Sequence, residues 1–243
     1  TGAIDSPVRT LPYALSQVYE GGIIVLQNGT GASYGDLTLT KNVTIKAAYG
    51  SEPKIGSLTL SGIQGLIEGL FFENLVTGIS ASNLSTGSLI IRECSFRDVQ
   101  TPINIDSLNY LALHRNYFYN FSSAVRISSA IEVCASSNIF ANGIRSIDVL
   151  TVERLDLWGN TIYGTINASP VVAPDTNLRA IYRTLSAFDV LYKRIQLPSF
   201  ASQSLSGKYD VGFNVVNGPS FNYGTDFTVT LFGSMVSWEG LQL

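Results

Sequence analysis

The stretch LALHRNYF, residues 111–118, holds the only histidine of the chain, His114, beside Arg115, in a sequence with 14% charged residues. It reads either as a catalytic corner or as one unit of a repeating scaffold. Setting it under the segments 22 residues before and after it aligns the apolar positions in columns. Leu89, Leu111, Val133 and Leu155 form one column, and Ile91, Leu113, Ala135 and Leu157 the next. Cys94, Asn116, Asn138 and Asn160 follow three residues on, then Phe96, Phe118, Phe140 and Ile162. Ile103, Val125 and Ile147 repeat in the same way, as do Ile105, Ile127 and Val149. Upstream, a step of 24 residues carries the pattern through Ile67, Leu70 and Phe72, and faintly through Val43 and Ile45.

Apolar residues alternate within each unit, which is the period of strands and not of helix. Each unit therefore holds about three short strands. A unit of roughly 20–25 residues cannot bury its own apolar face, so it stacks on its neighbours, strand pairing with strand in parallel at about 4.8 Å. The Leu, Ile and Val columns then fill the bore and the Phe column stacks. Asn116, Asn138 and Asn160 form a side-chain amide ladder at a tight turn, where asparagine tolerates left-handed backbone and bonds the amide above.

The recurring L-x-[IVL]-x-x-N-x-F unit resembles the right-handed parallel β-helix of the pectate-lyase-like superfamily, with its asparagine ladder between the second and third strands. The segment SPVRTLPYALSQVYEGG fits the capping helix such proteins carry, with Ser6 as N-cap, Pro7 at the first helical position, Leu11, Ala14, Leu15 and Val18 on one face, and Gly21-Gly22 as a stop. IIVLQNGTG and DLTLTKNVTIKAAYG then look like first coils. The resemblance covers about residues 6–165, and the superfamily holds lyases, hydrolases, adhesins and the trimeric tailspikes and appendages of bacteriophages. The expected organisation is an N-terminal cap over 1–22, a right-handed parallel β-helix of about 22 residues per coil over 23–170, and a small antiparallel β domain over 171–243.

That last segment breaks the period. RAIYRTL, DVLYKRI, YDVGFNVV and DFTVTLFGSMVSW alternate over longer runs, as in an antiparallel domain. Its rings, among them Tyr182, Tyr192, Tyr209, Phe213, Phe227 and Trp238, are many for a core of about 65 residues. They pack either on the last coil or against another chain, as in the C-terminal domains of phage appendages.

Composition bounds the partners. Fifteen Lys and Arg against eighteen Asp and Glu are scattered, with no basic stripe, so nucleic acid is not expected. No apolar run approaches the length needed to span a bilayer, and no membrane insertion is expected. The first twenty residues lack the pattern of a signal peptide. Met235 is the sole methionine, which points to a fragment or a processed product.

His114 follows inward-facing Leu113 and so points outward, in the column Arg92, His114, Ser136, Trp158. Arg115 stands one turn from Glu93, Arg126 from Asp148 and Glu132 from Arg154, the opposite-charge decoration that stabilises a sheet in register by about 0.2–1 kcal/mol a pair. The plain reading of His114 is solvated surface. The sharper reading is a sugar site with Arg92, Tyr110, His114 and Trp158 as carbohydrate-binding residues. Glu132 and Asp156 are then the catalytic candidates, outward on consecutive turns and roughly 8 Å apart, a separation suited to inverting glycoside hydrolysis. Against it stand the absence of paired aspartates and of an acidic calcium cluster. No metal or other cofactor is expected. Cys94 and Cys134, separated by about 9–10 Å on strand spacing, are expected to be free thiols.

The leading expectation is a structural or receptor-binding virion appendage, homotrimeric and bound to a cell-surface polysaccharide or another virion protein. A polysaccharide depolymerase, hydrolase or lyase, is the alternative, followed by a secreted bacterial surface adhesin.

Overall fold

A computed structural model describes residues 7–29, 33–158, 160–162, 165–170, 178–183, 207–211, 215–216 and 228–231. It is a parallel β-solenoid. Seven strands stack on face one, from Ile23–Leu26 through Val43–Ala47, Gly65–Glu68 and Leu89–Arg92 to residues 110–114, 132–136 and 154–158, giving six full turns. One inward column follows the expected spacing: Ile24, Ile45, Ile67, Ile91, Leu113 and Ala135, with the backbone of residue 157 next in register. Face two follows in each turn, with Phe72, Phe96, Phe118 and Phe140 in register. Face three carries Leu37, Leu58, Ile79, Ile103, Val125 and Ile147. In the most regular part nearly the whole repeat is extended chain, in the runs Ser95–His114, Tyr117–Ser136 and Ile139–Trp158.

The bore is lined mainly by apolar side chains. The four Phe rings are fully buried and stacked nearly parallel to their neighbours, with centroids 4.7, 5.0 and 4.6 Å apart. Phe121 leans edge-on to Phe140, and the residue stacked above it is Gly143. A Cβ on Gly143 would overlap the Phe121 ring, so glycine is the residue that lets the larger ring fit.

Two-residue turns join face one to face two. Glu93, Arg115 and Ser137 take left-handed backbone there, with φ of 55°, 54° and 56°. Such geometry costs an ordinary residue about 1–2 kcal/mol. At Arg115 and Ser137 the asparagine that follows offsets it. Asn138 accepts from the backbone N–H of Asn116 at 2.9 Å and from its Nδ2 at 3.0 Å. Its own Nδ2 donates to the Leu113 carbonyl at 3.0 Å and to Asn160 Oδ1 at 2.9 Å. Asn116, Asn138 and Asn160 are all buried, and the ladder ends on the Cys94 N–H, which donates to Asn116 Oδ1.

The helix is shorter than expected. It runs Leu11–Gln17 with Thr10 as N-cap, while residues 7–10 are not helical and Ser6 lies outside the described residues. Pro12 explains the shift: in a helix begun at Pro7 its ring would meet the carbonyl four residues back, so the helix starts beside it instead. The apolar face is as expected, with Leu11 and Leu15 buried and Ala14 and Val18 packed on the core. Lys41 holds the other end, its Nζ donating to the carbonyls of Leu15, Ser16 and Val18 at 3.1, 3.3 and 2.8 Å. These are the carbonyls a helix C-terminus leaves unsatisfied.

Beyond residue 170 the described strands pair in parallel, where an antiparallel domain was expected. Leu178–Arg183 adds to residues 155–158, Gly207–Val211 adds to it, and Thr228–Leu231 to that. An unpaired edge of the last full turn accepts any strand of matching alternation, whatever the length of the loop that precedes it. The other residues of 171–243, and the side chains of the aromatic set, lie outside the described residues.

Asn138→Ala should lower unfolding stability by about 3–5 kcal/mol in a denaturant titration, because it orphans buried groups on two neighbouring turns. Glu93→Ala, which removes an exposed ion pair with Arg115 at 3.6 Å, should change it by less than about 0.5 kcal/mol. Equal effects would remove the ladder as the principal bond between turns.

Candidate functional site

Outward residues of face one fall in three columns. Ser88, Tyr110, Glu132 and Arg154 form the first, and Leu66, Ile90, Ala112, Cys134 and Asp156 the second. Glu68, Arg92, His114, Ser136 and Trp158 form the third. All six candidate site residues are thus on one face, as the 22-residue alignment expects. The side chains of Arg154, Asp156 and Trp158 lie outside the described residues, so only their backbone positions are placed.

Two of the described bonds run along a column and one crosses between columns on a single strand. Arg92 Nη2 meets Glu68 Oε2 at 2.7 Å, and His114 Nδ1 lies 2.8 Å from Ser136 Oγ. Cys134 Sγ donates to Glu132 Oε1 at 3.3 Å. Glu68 was missed in the sequence because it sits across the 24-residue step rather than the 22-residue one. The central column holds Ala112 and Cys134, with Tyr110 and Glu132 in register on one flank and His114 and Ser136 on the other. The three columns make an outward strip running along the solenoid axis. Phenol, imidazole, guanidinium and carboxylate on it supply both donors and acceptors, the mixture that orients a hydroxyl-rich ligand.

Not every expected ion pair forms. The register sets Arg126 against Asp148, yet Asp148 pairs with Arg145 of its own turn at 3.2 Å. Asp148 is only 8% exposed, and the nearer guanidinium reaches it within the corner. Glu132 stands in register with Arg154.

A second polar surface lies on face three, a hollow of about 230 Å³ lined by Thr59, Ser80, Ser82, Asn104, Asp106 and Ser128. Its signal in the sequence is the run of outward hydroxyl residues Thr38, Thr59 and Ser80 in register. Among the described residues no cluster of His, Cys, Asp and Glu is set to hold a metal ion, and no helix is long and apolar enough to cross a membrane. Comparison with protein-family models, curated proteins and solved structures returned no match.

Both cysteines are free, as expected from their spacing. Burial pushes the Cys94 thiol up to about 12, while Cys134 is half-buried in the central column of face one. A thiolate is the reactive form. A maleimide titration at neutral pH should therefore label one thiol in the native protein, lost in Cys134→Ser, and two in denaturant; two rapid native labels would contradict the buried placement of Cys94.

Proposed function

We propose that the chain is a structural, receptor-binding virion appendage of the tailspike or fibre kind, whose right-handed β-helix presents face one to a cell-surface glycan and which associates as a homotrimer. The observation that carries this reading is the outward strip on face one, where strand register brings Arg92, Tyr110, His114 and Glu132 from three successive turns together around Ala112 and Cys134. A stack of identical backbone-bonded turns suits a rigid rod that must transmit load and present a surface. The density of aromatic residues in 178–243 favours association between chains. A depolymerase is the second reading, supported by the placement of Glu132 and Asp156 one turn apart in adjoining outward columns.

Binding of the full chain to a bacterial surface-polysaccharide array should weaken by about tenfold or more in Tyr110→Ala and in His114→Ala. Unchanged binding in both variants would remove face one as the site. Release of new reducing ends, abolished in Glu132→Gln, would replace the appendage with the depolymerase. Light scattering behind a sizing column should give the mass of three chains, and a single-chain mass would end the trimer.

A further inference from the structure

Face two also carries an organised outward surface. Its positions are Phe71 and Glu73 on one turn, Ser95 and Arg97 on the next, then Tyr117 and Tyr119, then Ile139 and Ala141. Tyr119 and Ile139 are 38% and 43% exposed. The Tyr117 and Tyr119 rings are parallel within 9°, with centroids 6.3 Å apart, and Arg97 lies over the Phe71 ring at 5.8 Å. The next residue on each turn, Asp98, Asn120 and Asn142, takes left-handed backbone with φ of 55°, 56° and 55°. Their side chains form a second ladder on the outside: Asn120 Nδ2 donates to Asp98 Oδ1, and Asn142 Nδ2 to Asn120 Oδ1 at 3.5 Å. Each amide has two hydrogens, so a ladder bond leaves one for a ligand.

We infer that this strip is a second binding site, for a short neutral oligosaccharide lying across the tyrosine pair with its hydroxyls on the Asp98–Asn120–Asn142 ladder. Parallel aromatic rings receive the apolar CH faces of sugar rings, and amide and carboxylate groups bond the hydroxyls beside them. Charge selects against a polyanion. Lys54 is bound to Glu73 at 2.8 Å, and Arg97 adjoins Asp98, so the strip is balanced in sign. Area selects against a second protein chain. Two outward positions across and four turns high cover on the order of 100 Å² on strand dimensions, well short of the about 800 Å² per partner of a stable interface. The ligand class is shared with the reading of face one, but the residues are not.

The test uses the full chain and a panel of neutral oligosaccharides of four to seven hexoses from the malto, cello, manno and galacto series, titrated by calorimetry. At least one series should bind, about tenfold more weakly in Tyr119→Ala and in Asn120→Ala, with Tyr119→Phe retaining most of the affinity. Loss of binding in Tyr110→Ala with Tyr119→Ala unaffected would place the ligand on face one and overturn this site, which separates failure of this site from failure of the other. The thermal midpoint of Tyr119→Ala should match the native chain, since the ring is on the surface. Absence of binding across the panel would overturn the inference, as would affinity indifferent to Tyr119→Ala. A self-associated species that Tyr119→Ala dissociates in light scattering would overturn it in favour of an interface between copies.

Discussion

From Cys94 onward each turn of this solenoid is tied to the next by a buried amide that must satisfy itself and the backbone beside it. Asn116, Asn138 and Asn160 each donate to a carbonyl 25 residues earlier in the chain, of Ile91, Leu113 and Ala135. A slip of one residue would break these bonds together and turn every inward side chain outward. The ladder also answers for the strained residue before it. Toward the N-terminus the column changes to Cys94 and then Leu70, which cannot make the amide bonds, and at the second of these the preceding left-handed position is Gly69, with φ 70°. Glycine takes that geometry without the cost that Arg115 and Ser137 bear. Glu93 is the intermediate case, still served by Asn116 from the turn above.

Once register is set, the core and the surface are two readings of the same columns. Inward positions collect equal side chains, as in the four stacked Phe rings, because each turn presents the same cross-section to the next. Where a turn departs from the pattern its neighbour compensates, as Gly143 does for Phe121. Outward positions inherit the same alignment without the same selection for likeness. They bring residues 22 apart in sequence within one strand spacing of each other, and so build surface patches from segments that no local motif would connect.

This explains what was legible in the sequence. The columns through Leu111, Leu113, Asn116 and Phe118 were visible because burial and hydrogen bonding demand repetition there. So was the face on which Arg92, Tyr110, His114 and Glu132 meet, since outward positions follow from inward ones. The helix start was misplaced because Pro7 and Pro12 are both acceptable first-turn residues, and only the clash that Pro12 would make decides between them. Arg145 as the partner of Asp148 was hidden because corner geometry, not strand register, brings them together. The outer ladder of Asp98, Asn120 and Asn142 did repeat at 22 residues, but a polar residue at a bend reads as an ordinary turn until its backbone is known to be left-handed. The parallel course of the strands after residue 170 had no periodic signal at all, because Leu178–Arg183, Gly207–Val211 and Thr228–Leu231 do not follow one another at a constant step in the sequence.

The two outer surfaces differ in how their groups are held, and this bears on how each would meet a ligand. On face one two of the described bonds run along the axis: Glu68 to Arg92 and His114 to Ser136 join one turn to the next. A ligand there must compete with bonds already made, but it gains fixed partners, since Arg92 and His114 are oriented before it arrives. On face two the aromatic rings have no such bonds to give up, and the ladder beside them is itself continuous from turn to turn. Both surfaces run parallel to the solenoid axis, because the column is the unit of alignment and a column crosses the strands. An elongated ligand on either face therefore extends across turns rather than along one, and its contacts come from residues 22 apart in the chain.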